Sequence, residues 1–253
     1  MLEPDPRTSR FRRRGFLATA AAVIALARHR SASGQDPMTA AGADDSPAGP
    51  ADADELRLDY EQFLALANPV ARELVRDTSP LGEERYLHTI AALAARLKDV
   101  PEPDEMRLTN PDGGPRKFIG ANDGGDPFTV LHWRIEPGAV IGLHAHTYGN
   151  VVTLGLAGAA RIQNFEMVGE TDFDAGGTFR VRRCVEQLLA PGDINLVPIS
   201  HRYCHGFVAG PEGARGLDIT TRILPKRKAP VLEILGGPVD ALGCIFEARW
   251  RAE

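Results

Sequence analysis

Residues 138–158 read GAVIGLHAHTYGNVVTLGLAG, and histidines stand at positions 144 and 146 in a segment rich in glycine and β-branched residues. Side chains alternate between the two faces of a β-strand, so His144 and His146 are predicted to point the same way. Two neutral imidazoles on one face supply half of a site for a first-row transition metal. The alternative is a pair of surface histidines on an exposed strand.

The spacing of this stretch resembles the first motif of the cupin superfamily. That motif places Gly, His-x-His, usually a Glu, and a second Gly in a register that Gly138, His144, His146 and Gly158 share. Val151 stands where the motif usually has its glutamate, and valine cannot bind a metal. The resemblance therefore implies a three-histidine site whose third ligand lies downstream.

A second stretch, APGDINLVPISHRYCHGF at residues 190–207, is similar to the second cupin motif and offers His201 and His205. HGFVA at 205–209, GLDI at 216–219 and ARIQNFE at 160–166 resemble the thiol dioxygenases of the plant cysteine oxidase and cysteamine dioxygenase type. The resemblance covers about residues 115–225. It implies that His205 is the third ligand and that Asp218 is a pocket residue that orients a substrate amine; His201 is the alternative third ligand.

Other candidates near these motifs have both a structural and a functional interpretation. Tyr203 shares a face with His205 if the segment is extended, so it is either a phenol close to the metal or a turn tyrosine. Cys204 is predicted to face away from the metal as a buried thiol. His132 is interpreted as a hydrogen-bonded structural histidine, and His88 as a surface residue of a helix.

The first 33 residues have the pattern of an export signal. The basic string RRRGFL at 12–17 precedes the apolar run 18–27, and Ser31-Ala32-Ser33 supplies small residues at a cleavage site. The Arg13-Arg14 pair with Phe16-Leu17 resembles a twin-arginine signal. We therefore expect an exported protein, periplasmic or secreted, with no stable membrane anchor. Residues 34–53, rich in Ala, Asp, Gly and Pro, are predicted to be a disordered linker.

The remainder is predicted to be a helical segment, 54–100, followed by one barrel, 101–253. Apolar spacings of three and four predict a helix over 55–75, broken at Asn68-Pro69, and a second over 79–99 with Leu81, Tyr86 and Ile90 in its apolar stripe. Many short strands follow, among them 128–135, 151–156, 159–167, 179–189, 194–198, 216–224, 231–235 and 244–250. This predicts an all-β core, a single double-stranded β-barrel (cupin or jelly roll) with the helices packed outside.

Net charge and cysteine content limit the classes of function that the chain can have. The net charge of −5 becomes more negative once the seven arginines of residues 1–33 are removed, which argues against nucleic acid as a partner. Three cysteines give no disulfide framework. The resemblance implies a non-haem iron enzyme, with Fe(2+) as cofactor and a small thiol and O2 as partners. The alternatives are another metal-dependent cupin enzyme on a small organic substrate, or a cupin that binds a metal or small ligand without catalysis.

Overall fold

The fold was analysed in a computed structural model of the chain. It describes residues 57–109, 116–122, 125–169, 177–201, 203–225 and 229–251. The predicted signal at 1–33 and the predicted linker at 34–53 lie outside the described residues, as do the first residues of the predicted helical segment.

Helix α1 spans Tyr60–Arg76 and begins at a capping box. Asp59 accepts a hydrogen bond from the Gln62 backbone N–H at 2.8 Å, and the Gln62 side chain accepts one from the Asp59 N–H. These two bonds satisfy donors that the first turn of a helix leaves free. One face of α1 is buried, and its members are Tyr60, Phe63, Ala67, Ala71 and Leu74.

The predicted break at Asn68-Pro69 is wrong, because α1 continues through Pro69. An internal proline removes one backbone bond and costs about 3 kcal/mol or more. The apolar face continues on both sides of it, with Ala67 before and Ala71 after, both fully buried. The Asn68 side-chain amide donates to the Leu64 carbonyl at 3.0 Å in the turn that the proline disturbs. The stabilisation from burying this continuous apolar face therefore outweighs the local cost of the proline.

Helix α2 spans Pro80–Ala94, with Ser79 as its N-cap and Pro80 in its first turn. It ends five residues before the predicted end. The predicted stripe is correct at Tyr86 and Ile90 but wrong at Leu81, which is 68% exposed, whereas Leu87 is buried. Leu81 lies in the first turn, in which Gly82 and Glu83 are buried instead.

Among the described residues, ten strands follow the helices in an antiparallel arrangement. Their bounds are β1 Arg107–Leu108, β2 Lys117–Asn122, β3 Phe128–Ile135, β4 Val140–Ala145, β5 Gly149–Val168, β6 Thr178–Leu189, β7 Ile194–Val197, β8 Cys204–Arg222, β9 Leu232–Ile234 and β10 Ile245–Trp250.

Two long strands, β5 and β8, pair with each other from Gly149↔Arg222 to Phe165↔Cys204 and belong to both layers of the barrel. The first layer runs β1-β2-β3-β8-β5, with β7 also on β5. The second contains β4-β8-β5-β6-β10-β9. A bridge between His144 and Val231 brings β4 back to the residue preceding β9, so the second layer curls towards closure.

Strand β5 replaces the two strands predicted at 151–156 and 159–167. The β5–β8 register shifts between Gly155 and Ala157 and again between Gly158 and Ala160, so the ribbon bends without ending. Gly158 has φ +62°, and a Cβ there would lie 2.2 Å from the Gly213 carbonyl oxygen. Only glycine accepts both this conformation and this contact without strain.

The core lies in distinct clusters. One joins the buried faces of α1 and α2 to the outer face of the first layer, at residues such as Val152, Leu217 and Ile219. Another draws from both layers and includes Trp133, Ile162 and Phe207. The predicted fold class is confirmed: an all-β double-stranded barrel core with helices on its outside.

No helix among the described residues is long and apolar enough to cross a membrane.

Candidate metal centre

Three polar residues form one row across the second layer: Asn164 on β5, His205 on β8 and His144 on β4. Directly opposed residues of antiparallel strands project to the same face. His205 alternates with Cys204 and shares its face with Phe207, which belongs to the cluster between the layers. The row therefore faces the barrel interior.

His146 lies one residue beyond the end of β4 and turns towards the same point. Ring centroids are 4.9 Å apart for His144 and His146, and 4.8 Å apart for each of these with His205. The Nε2 atoms of His146 and His205 are separated by 2.8 Å. One potential ligand atom from each histidine lies within 4.8 Å of the other two. The structure thus brings together all three histidines that the sequence analysis selected.

A bulge in β4 aims His144 into this cluster. The β4–β8 register shifts between Ile141 and His144, and the strand passes close to Gly206, where a Cβ would lie 2.9 Å from the Ile141 carbonyl oxygen. His144 Nδ1 lies 2.9 Å from the carbonyl oxygen of Gly142. A proton on Nδ1, donated to that carbonyl, leaves the lone pair on Nε2 for a metal, an arrangement typical of ligand histidines.

Burial keeps the three imidazoles neutral. Desolvation lowers the pKa of His146 to about 3, with a smaller contribution from His144. Desolvation also lowers the pKa of His205 well below its usual value, and that of His144 less strongly because the Gly142 carbonyl opposes it. A neutral imidazole is the form that binds a metal, since protonation removes its lone pair.

The donor set fits a transition-metal ion. Imidazole nitrogens bind such ions at about 2.0–2.1 Å, and two nitrogens 2.8 Å apart both lie within that reach of one point. Without an ion, the two Nε2 atoms of His146 and His205 share one hydrogen bond at most. The Nδ1 atoms of both residues are buried and have no hydrogen-bond partner among the described residues.

Val151 supplies no carboxylate to the cluster. It is fully buried on the face of β5 opposite to Val152, which packs towards the helices, so it faces the interior together with Thr153. The described part of the chain places no Asp or Glu in the histidine group. The candidate ligands are therefore three neutral nitrogens.

Asp218 occupies the interior of the first layer. It is nearly fully buried, and Thr153 Oγ1, directly opposite on β5, donates to its carboxylate at 2.7 Å. Burial raises the pKa of Asp218 to about 6, while the Thr153 hydroxyl and the Trp133 indole act in the opposite direction. Near neutral pH this position is a buried anion that lacks a cationic partner among the described residues.

Tyr148 connects Asp218 with the histidines and is a residue that the sequence analysis missed. Its ring centroid lies 6.2 Å from that of His146. Burial and the charge of Asp218 raise the pKa of Tyr148, and Arg222 partly opposes this. Its phenol therefore stays protonated. The sequence feature that could have identified Tyr148 is its i, i+2 spacing from His146. The sequence analysis considered only the glycine and histidine spacings of this segment.

The remaining predicted residues lie away from the three-histidine cluster. His201 ends a short 3-10 helix, Ile199–His201, and is exposed. Tyr203 precedes β8, and its ring contacts that of His201. Its pKa is raised by burial and by the nearby Cys184 thiol. A role for Tyr203 in the site stays a prediction.

Cys204 and His132, which the sequence analysis interpreted as structural residues, are both buried. Cys204 is buried in an apolar cluster with Ala145 and Phe165. His132 is buried near the Tyr60 ring, with a pKa lowered to about 4 chiefly by burial.

Asn164 and Asn195 form a second polar pair that sequence reasoning missed. Each side-chain amide donates to the carbonyl of the other, at 2.9 and 3.2 Å, and both are buried. Asn164 also donates to the Leu196 carbonyl at 3.2 Å. The pair ties β7 to β5 beside His205, and buried amides satisfied in this way fix strand positions.

No protein-family model matches the sequence, and no curated protein matches it. Among solved structures, KdgF from Halomonas sp. is 21% identical, with 48% of this chain and 88% of that chain covered and a TM-score of 0.33. An uncharacterised conserved protein with a double-stranded β-helix domain from Klebsiella pneumoniae is 19% identical, covers 44% and 79%, and has a TM-score of 0.31. A variant of oxalate decarboxylase from Bacillus subtilis is 17% identical, covers 49% and 31%, and has a TM-score of 0.32. We infer no activity from likenesses at this level.

Proposed function

We propose that this chain is a cupin-type, non-haem iron thiol dioxygenase that converts a small thiol or an N-terminal cysteine to a sulfinate. The observation that carries the proposal is a cluster of three neutral histidines with a buried valine, Val151, in place of a carboxylate. Such a cluster leaves the double charge of a divalent ion uncompensated. A substrate thiolate supplies the missing negative charge, whereas a neutral substrate does not.

The proposed reaction balances with dioxygen alone. The thiol S–H bond and the O=O bond break, two S–O bonds form, and the proton ends on a sulfinic oxygen, so that R–SH with O2 gives R–SO2H. Sulfur loses four electrons and the two oxygen atoms gain four, so no further reductant is needed. Iron(II), when bound, supplies a Lewis acid for the thiol and a redox-active centre for dioxygen.

Asp218 is proposed to orient the substrate. Its pKa of about 6 makes it an anion near neutral pH, and the Thr153 hydroxyl fixes the carboxylate in place. A substrate ammonium group satisfies this buried charge, which is costly to leave unpaired. Tyr148 lies within electrostatic range of Asp218 and close to His146, and this supports a substrate amine bound by Asp218 in the same interior as the histidines.

Aromatic rings line the interior next to His205. Phe207 contacts the His205 ring edge-on at 5.0 Å, and Trp133 stacks on Phe207 at 5.1 Å. These rings limit the access of water to the buried imidazole of His205. Dry surroundings strengthen the attraction between an ion and an anionic sulfur ligand.

Oxygen uptake by the iron-loaded protein tests the proposal. The panel contains a small aminothiol, a peptide with an N-terminal cysteine and the matching alcohol as a blank, and mass spectrometry measures addition of two oxygen atoms to the thiol. The His205→Ala variant, treated with the same iron, measures the rate due to free iron. Sulfinate formation above that rate supports the proposal. Stoichiometric iron with no thiol oxidised means that the chain is a metal-binding protein or an enzyme of another class.

A further inference from the structure

A concave groove of about 660 Å³ lies where the last turns of α1 face the end of β8. Residues that line it include Arg72, Val75, Arg76, Asp126, Arg222 and Leu224. None of the three histidines lines it, so it is separate from the candidate metal centre. Its volume falls in the range of about 300–1,000 Å³ typical of small-molecule pockets.

The groove is cationic in a protein that is acidic overall, with a net charge of −5. Three arginines line it against one acidic residue, Asp126, which pairs with Arg222. Arg72 and Arg76 are four residues apart on α1, hence on one side of the helix. Neither has an ion pair within the described ranges. The helix dipole favours a cation such as Arg76 in the last turn, but it does not explain three arginines around one concavity.

The walls between the arginines are apolar. Val75 is 46% exposed and Leu224 is 50% exposed, and Pro127, Ile223 and Pro225 complete this surface. A ligand that covers them gains hydrophobic burial while its charged end binds a guanidinium. We propose that this groove binds a small organic carboxylate with an apolar body. An inorganic anion would leave the apolar walls exposed, and an uncharged apolar ligand would leave Arg72 and Arg76 unpaired.

One wall of the groove is bonded to the segment beside the histidines. The backbone N–H groups of Ile223 and Leu224 both donate to the Tyr148 carbonyl, at 2.9 and 3.0 Å. The Tyr148 ring is the one that lies 6.2 Å from His146. The groove and the candidate metal centre thus both adjoin Tyr148. The groove shares no lining residue with the three-histidine cluster, so the carboxylate site is proposed without reference to the dioxygenase activity.

Calorimetric titration of the full chain with 3-phenylpropionate, and with the uncharged 3-phenylpropionamide, tests the inference. The carboxylate is expected to bind more tightly than the amide by about tenfold, with an affinity that falls as salt rises. Arg76→Gln is expected to weaken carboxylate binding by about three- to tenfold and to leave amide binding unchanged. Arg180→Gln, which removes an exposed cation from β6, is the matched control and should have no effect.

A substitution that removes a negative charge from the groove distinguishes a specific binding site from general electrostatic attraction. Asp126→Asn releases Arg222 for the ligand and is expected to tighten carboxylate binding by about three- to tenfold. Glu247→Gln, which makes the same charge change at an exposed position of β10, should not tighten carboxylate binding. Equal affinity for carboxylate and amide, an unchanged affinity in Arg76→Gln, or equal tightening by Asp126→Asn and Glu247→Gln would each overturn the proposal. Absence of binding at millimolar ligand would do the same.

Discussion

His144 on β4 and His205 on β8 are direct cross-strand partners, and their ring centroids lie 4.8 Å apart. Strand pairing therefore places two of the candidate ligands before any ion binds. His146, on the chain just beyond β4, completes the group through its 2.8 Å approach to His205. Residues 59 positions apart in sequence meet because β4 pairs with β8 and places the chain just beyond His144 next to His205.

Replacement of any one of the three histidines is expected to abolish stoichiometric metal binding. His144→Ala, His146→Ala and His205→Ala should each weaken affinity by at least about 100-fold, because two imidazoles cannot hold the ion alone. Metal content of the purified protein, measured by mass spectrometry, gives the result. His88→Ala is the control on α2, and His201→Ala tests the alternative ligand. Full metal in His205→Ala with loss in His201→Ala would reverse the assignment.

Asp218 is expected to make stability depend on pH in the acidic range. Its pKa rises from 3.8 to about 6 on folding, so between these values the folded protein holds a proton that the unfolded chain has released. The contribution of this residue to stability therefore falls as pH rises from about 4 to about 6, and it is constant above that. As pH rises through this window, the unfolding free energy of Asp218→Asn should increase relative to that of the wild type by up to about 3 kcal/mol. Denaturant unfolding of both proteins at several pH values measures the difference in their unfolding free energies. The histidines, whose effect on stability has the opposite pH dependence, are present in both proteins and drop out of this difference.

Glu83 is expected to stabilise the segment that leads to His205. Its carboxylate, nearly buried on α2, accepts hydrogen bonds from the backbone N–H groups of Ile199 at 2.8 Å and Ser200 at 3.2 Å. Glu83→Ala removes a charged acceptor from these two partly buried hydrogen bonds and should cost about 1–3 kcal/mol of unfolding free energy. The neighbouring Glu84→Ala is the control, since Glu84 makes only a 4.0 Å contact with His88. Equal unfolding free energies for the two variants would contradict this role.

Gly158→Ala is expected to destabilise the bend of β5 by at least about 2 kcal/mol. The substitution places a Cβ at φ +62° and 2.2 Å from the Gly213 carbonyl oxygen, so backbone must move. Gly142→Ala is the matched control, because its Cβ meets nothing within 4 Å. Thermal unfolding should show a lower midpoint for the first variant and an unchanged or slightly higher midpoint for the second.

Val151→Glu is expected to lower thiol oxidation by at least about tenfold while metal is retained. A glutamate at this buried interior position provides the negative charge that the proposed thiolate brings. Val151→Thr, which has a similar shape without charge, is the control and should keep most of the activity. Melting temperatures with and without metal show whether the variant folds; a metal-loaded, folded Val151→Glu with full activity would contradict the charge argument.

Local pattern predicted much of the fold. The strand predicted at 128–135 has the bounds of β3, since alternation and turn residues on both sides mark it without ambiguity. The helix predicted to begin at residue 79 likewise starts where α2 does, with Ser79 as its N-cap. Prediction failed where tertiary contacts overrode local chemistry. Pro69 stays within a helix because the buried face continues past it, and β5 crosses a glycine-rich bend because β8 pairs with it throughout.

The site was predictable where spacing alone carried the signal. The i, i+2 histidines converge as expected, although His146 lies outside β4 and a bulge, which no spacing reveals, sets the direction of His144. The mutual amide pair of Asn164 and Asn195 depends on β7 lying beside β5, and this is a consequence of topology. The arginine groove joins the end of a helix to the end of a strand 146 positions later, so no local pattern marks it.

The shared strands β5 and β8 make the barrel indivisible. Each strand contributes one part to the layer under the helices and another to the layer with the histidines, and no single cut separates the two layers into pieces with complete sheets. Removal of either strand would remove backbone hydrogen bonds from both layers at once. Amide protons of the two layers should therefore exchange as one cooperative unit, and the helix-bearing half cannot serve as an autonomous folding fragment on which the histidine half is later assembled.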